Sequence, residues 1–134
     1  MRFLSPEAGI DPLSRRVLLA DAAFEAIVAV LLSGLVGRAH WWLNVERPVT
    51  IIGAIVFAVV AVLIAGAAFH PGTNERFVRA LAFANLTGGL AIWVAAMLKW
   101  SQFEPEGHWL VAFVADGCLV FAALEFLTTR RAAS

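Results

Sequence analysis

Four stretches of about twenty mostly apolar residues, at 17–36, 49–69, 77–98 and 109–127, dominate the chain, and only short connections separate them. A helix rises about 1.5 Å per residue and a bilayer's hydrocarbon core is about 30 Å thick, so each stretch is long enough to cross it. None of the four alternates with period two, which argues against strands. Of the 134 residues, 61% are apolar and 15% charged, and mean hydropathy is +0.83. A globule of this size has too little interior to hide that much apolar surface from water. Soluble enzyme folds and intrinsic disorder are therefore excluded. The expected fold is all-α: a polytopic, antiparallel bundle of four transmembrane helices.

The connections carry the chemistry that ends helices. Gly37 is expected to end the first span. Pro48 suits the first turn of the second, where its missing N–H costs nothing. Residues 70–74 read as a turn, with Thr73 or Asn74 capping the third helix, and Pro105 lies in the last connection. Ser5-Pro6 and Asp11-Pro12 each look like a cap followed by proline, predicting a short interfacial helix within 1–16. Residues 17–128 form the transmembrane domain and 129–134 a basic tail. The first span is read as a retained helix rather than a signal peptide, because its apolar run is long and contains Asp21 and Glu25.

Orientation follows from the basic residues. Arg2, Arg15, Arg16, Arg76, Arg79, Arg130 and Arg131 fall on one side, and Arg38, Arg47 and Lys99 on the other. Seven against three places both termini in the cytoplasm, in a multi-pass protein of the inner (plasma) membrane. Trp41, Trp42, Trp100 and Trp109 then form an aromatic belt on the outer side. Ten basic and ten acidic residues cancel, so no net field attracts nucleic acid. The expected surroundings are the lipid bilayer and either further copies of the chain or a larger membrane complex.

Polar residues inside the spans are the candidates for function. The first span has about eleven large apolar residues, returning roughly 5 kcal/mol, against two carboxyls costing up to roughly 6. It must find partners for Asp21 and Glu25, which are four residues apart and share a helix face. On the third span Ala82, Asn85, Gly89 and Ala96 form a stripe, and on the fourth Asp116 shares a face with Ala112 and Ala123. Small-residue stripes let helices approach closely in lipid. The expectation is that these faces meet, with Glu25 hydrogen-bonded to Asn85, Asp116 about a turn above, and Arg16 and Arg79 as the cations for Asp21. Two readings of the cluster stay open. One is interhelical hydrogen bonding that fixes register. The other is a proton or ion pathway or a polar pocket. Glu125, near Arg130 and Arg131, is expected to reach the cytoplasmic surface. Arg15 to Asp21 and Arg79 to Asn85 also share the pattern R-x5-[D/N], a faint internal repeat.

Other chemistry is missing from the sequence. Cys118 is the single cysteine, so no internal disulfide, C-x-x-C pair or cysteine metal site can form. His40, His70 and His108 lie outside the spans, which removes a bis-histidine haem. His40, His108, Glu104 and Glu106 are read as a solvated rim. No phosphate loop or nucleophile elbow is present. No cofactor, metal or catalytic residue is expected.

Asp21-Ala22-Ala23, Arg47-Pro48 leading to Gly53, Arg79-Ala80-Leu81 running to Asn85, Gly107-His108-Trp109 and Glu125-Phe126-Leu127 before Arg130-Arg131 carry a resemblance over most of residues 13–131. The layout resembles a broad set of uncharacterised bacterial four-span integral membrane proteins, and its length and architecture are similar to DoxX-like proteins. Glu25 looks similar to the first-span glutamate of small multidrug transporters. This chain, however, lacks their aromatic-glycine pattern in the third span and carries a stronger charge bias. No function is carried over from these resemblances; the expected function is a non-enzymatic accessory or structural subunit packing with itself or in a larger membrane complex, and the alternative is a small proton- or ion-coupled transporter using Glu25, Asp116 and Asn85. Absence of chemistry motifs favours the first of these, and the buried carboxyls favour the second.

Overall fold

Local capping sets where each helix begins and ends. The computed structural model describes residues 9–133. Helix α1 (Pro12–Ser33) opens on Asp11, whose Oδ1 accepts the Ser14 amide at 2.7 Å, with Pro12 in the first turn. The Asp11-Pro12 pair therefore starts the first long helix itself and not a separate interfacial one. Ser5-Pro6 lies outside the described residues. Gly34, at φ 85 and ψ 4, terminates α1, three residues before the expected Gly37. The left-handed conformation is open to glycine at no steric cost. The Ser33 hydroxyl helps the chain turn away, donating to the Val30 carbonyl and accepting the Leu35 amide.

A short helix α2 (Ala39–Trp42), absent from the sequence reading, follows. Helix α3 (Arg47–Phe69) has Pro48 in its first turn. Helix α4 (Glu75–Leu98) is capped by Asn74, whose side chain accepts the Phe77 amide at 3.2 Å. A 3-10 turn at Trp100–Gln102 leads into α5 (Pro105–Ala133), which continues through most of the segment expected as a tail. No strand occurs among the described residues.

α1 packs along α3, α4 along α5, and the two pairs join through α1 against α5. Neighbours run antiparallel: the start of α1 meets the end of α3, where Arg15 Nε donates to the Ala68 carbonyl at 2.8 Å. One end of the molecule therefore gathers the start of α1, the end of α3, the start of α4 and the end of α5. Small residues make the contacts close. Ala54, Ala61 and Ala68 recur every seventh residue on α3 and are all buried. On α4, Ala82, Asn85, Gly89 and Ala96 are all buried, and a Cβ on Gly89 would press on the Ala115 carbonyl and Leu119.

Three helices, α3, α4 and the Pro105–Arg130 part of α5, are long and apolar enough to cross a membrane. α1 is 22 residues long, but Arg15, Arg16, Asp21 and Glu25 fall within it. Large apolar side chains face outward. Ile52, Val62 and Leu63 on α3 and Val94 and Met97 on α4 are each more than 60% exposed. Exposed apolar surface on this scale marks contact with something other than water. The interior holds Asp21, Glu25 and Glu125 beside two clusters of buried apolar side chains.

Candidate functional site: a buried carboxyl cluster

Three helices bring the cluster together at one level. Asp21 lies nine residues into α1, Asn85 ten residues into α4, and Glu125 eight residues from the end of α5, so all three sit about 12–15 Å from the same end. Asp21 and Glu125 are fully buried, Glu25 is 3% exposed and Asn85 7%. Asn85 Nδ2 donates one proton to Asp21 Oδ2 at 2.9 Å and the other to Glu125 Oε1 at 2.8 Å. A primary amide has two such protons, so its donors are used up. Asp21 Oδ1 and Glu125 Oε2 are buried with no hydrogen-bond partner. Glu25, one turn further along α1, and Glu125 lie beside the Asp21 carboxyl. Cys118 is buried two turns from Glu125 on the same face of α5.

Two expectations are corrected here. Asp116 does not join the cluster. It is exposed on α5, where its Oδ1 accepts Trp93 Nε1–H at 2.8 Å. Glu125, expected at the surface, takes the interior place. Nine residues separate the two, and at about 100° per residue they point to opposite faces of one helix. The buried face of α5 is Ala115, Cys118, Ala122, Glu125 and Thr129, which excludes Asp116. A polar group seven residues beyond a cysteine, in a stripe otherwise small, was the available signal. The second correction concerns partners. Asn85 bonds Asp21 and Glu125, with no bond to Glu25. Arg16 and Arg79 are both exposed, and Arg79 acts electrostatically on Glu75. Long cationic side chains keep their heads in water when they start within a turn or two of a helix end. The R-x5-[D/N] repeat nevertheless pairs its two polar members, Asp21 with Asn85, across α1 and α4.

Among the described residues, no group of three or more His, Cys, Asp or Glu side chains is arranged to hold a metal ion. The histidines are engaged locally. His108 stacks on Trp100 at 4.1 Å and bonds its carbonyl, while His70 accepts the Gly72 amide. Chemically, the cluster has many acceptors, one amide donor and no neighbouring cation among the described residues. Comparison with family models, with curated proteins and with solved structures returned no match for this chain.

Proposed function

We propose that this chain is an integral membrane protein that takes up and releases protons at the cluster of Asp21, Glu25, Asn85 and Glu125, as a small proton-coupled carrier. The membrane reading rests on three spanning-length helices; α1 serves as the fourth span, with its acids turned inward. Both termini lie on the cytoplasmic side of a plasma membrane, on the strength of the seven arginines that the sequence assigns to that side.

One observation carries the proton reading: two carboxyl oxygens, one on Asp21 and one on Glu125, are buried without a donor although the same carboxyls share Asn85. Register-fixing hydrogen bonds alone leave no reason for such orphans, since a half-satisfied network costs more than an apolar one. Burying unpaired carboxylates costs several kcal/mol per ion. Protons held among the three acids remove that charge and supply the missing donors. Ser14, whose Oγ is likewise buried and unpartnered, lies on the same face of α1, two turns toward the basic end. It marks the side from which protons reach Asp21. Phe24, Val28, Leu110 and Val114 close the other side.

Proteoliposomes with an internal pH dye test this. Proton uptake after a pH jump is expected to fall at least tenfold in Glu125→Gln and in Glu25→Gln, with insertion and helix content retained. Uptake equal to wild type in both variants ends the proposal.

A separate observation favours a second reading, self-association. Trp109, Phe113, Asp116, Val120, Ala123 and Leu127 are exposed or open to the outer face of α5 at alternating spacings of four and three. That is the seam of a helix pair, with one polar position to set register. A carboxyl facing hydrocarbon costs about 2.5–3.5 kcal/mol. A second copy related by a two-fold axis places its own Asp116 opposite at the same depth, where one shared proton serves both. Val120→Cys in a Cys118→Ala background is expected to cross-link to itself in membranes, and Asp116→Leu to reduce that yield. No cross-link at any oxidant level rejects the dimer.

A further inference from the structure

We propose a second site, independent of the proton cluster and at the opposite end of the molecule: a cavity that binds the phosphate of an anionic membrane lipid, one with no cation in its headgroup, with the lipid's acyl chain in the groove beneath it. The cavity has a volume of about 310 Å³ and lies between the end of α1, the following loop and the start of α3. That is the low end of the size range of small-molecule sites.

The loop that shapes it is fixed. Gly34, Gly37 and Asn44 adopt left-handed φ values of 85, 84 and 54. Gly37 has no alternative, since a Cβ there would collide with the Trp42 indole. Trp42 is in turn held from the far pair of helices, its carbonyl accepting the Glu104 amide at 2.9 Å. Ala39, between them, is 1% exposed. The walls are thus held by both helix pairs.

The charge is one-sided. Arg38 and Arg47 line the cavity together with His40, and no acidic side chain lines it. The sequence assigns three basic residues to this end, Arg38, Arg47 and Lys99, balanced by Glu46, Glu104 and Glu106. Two of the three cations therefore converge on one cavity while the acids stay out of it. Ser33 and Thr50 return their hydroxyl protons to their own helices, onto Val30 and Arg47 carbonyls. The donors left for a ligand are the two guanidinium forks and the imidazole. Guanidinium matches phosphate oxygens in pairs. The 23-residue α3 also points its positive end here.

Two features select a lipid over a free anion. Trp41, 59% exposed and stacked on His40, stands at the cavity rim, where an indole sits at headgroup depth. Directly adjoining, and sharing Ser33, is a groove of about 300 Å³ between α1 and α3, lined by Ala29, Val30, Ile51, Ala54, Ile55 and Ala58. A basic headgroup pocket continuous with a hydrocarbon slot fits a phosphate ester carrying a fatty chain.

The test is native mass spectrometry of the detergent-solubilised full chain titrated with phosphatidylglycerol, phosphatidylcholine or inorganic phosphate. Wild type is expected to retain phosphatidylglycerol at least fivefold better than phosphatidylcholine. Arg38→Ala with Arg47→Ala, both on exposed side chains, is expected to abolish that preference. Ala58→Trp, which fills the exposed slot, is expected to weaken phosphatidylglycerol retention while leaving the arginines in place. Equal retention of both lipids, or a preference that survives the double arginine variant, overturns the site. Inorganic phosphate binding as tightly as phosphatidylglycerol overturns the lipid assignment. Proton uptake is expected to persist in the arginine variant, so failure here and failure of the proton reading are distinguishable.

Discussion

Replacing Asn85 with leucine is expected to lower the free energy of unfolding by about 2–3 kcal/mol, measured by reversible detergent denaturation followed by circular dichroism. Leucine has the same four-atom skeleton branched at Cγ, so it is the closest apolar replacement in shape along the α4 stripe. What is lost is the single amide that donates to Asp21 Oδ2 and Glu125 Oε1. Each buried acceptor left without a donor costs about 1–3 kcal/mol, and bonds between membrane helices lie at the low end of that range. A double-mutant cycle isolates the bond. Asn85→Ala combined with Glu125→Ala is expected to show a coupling energy of about 1 kcal/mol or more, as for residues in one network. Additive losses mean that the amide does not bridge α1 and α5.

Gly107→Val is the second substitution with a large expected cost, about 2–3 kcal/mol by the same measurement, in the range for overpacking. A Cβ at Gly107 would run into the backbone carbonyl of Trp42 and meet the Phe103 Cβ at 3.2 Å. A flexible side chain can step aside, but a backbone carbonyl that also accepts the Glu104 amide cannot without opening the joint between α2 and α5. Gly34→Ala serves as the comparison. Its surroundings are open within 4 Å, and only the left-handed φ of 85 opposes it. That costs about 1–2 kcal/mol. A Gly107→Val loss no larger than that of Gly34→Ala shows that α2 does not press on the start of α5. Gly107→Val also loosens Trp42, which holds the loop around Gly37, so phosphatidylglycerol retention is expected to fall with it.

Capping residues are legible because they depend on neighbours in sequence, although the sequence assigns Asp11 to a separate short helix and not to the start of the first span. Asp11 and Asn74 each cap an amide three residues on, and Pro12 and Pro48 carry no N–H to lose. The end of α1 was less so. Gly34 and Gly37 both adopt left-handed backbone, and nothing local ranks them. Helix α2 was invisible, since four residues without a side-chain cap have no periodicity. Its presence depends on Ala39 and Trp42 finding a seat against α5.

The acids show the same division. Composition made solvation by lipid the governing condition, and spacing put Asp21 and Glu25 on one face of α1. The small stripe on α4 marked Asn85. All of these follow from helical period and the cost of burying charge, which a single chain segment carries in itself. Whether α5 turns Asp116 or Glu125 inward is a rotation of the whole helix about its axis. The two residues are half a turn apart, so sequence allows either. The choice is made by Ala115 meeting Gly89, by Gly117 leaving room for the Phe24 ring, and by Asn85 having a second proton to give. Those are contacts between helices, summed over their length, and they exist only once the helices have packed.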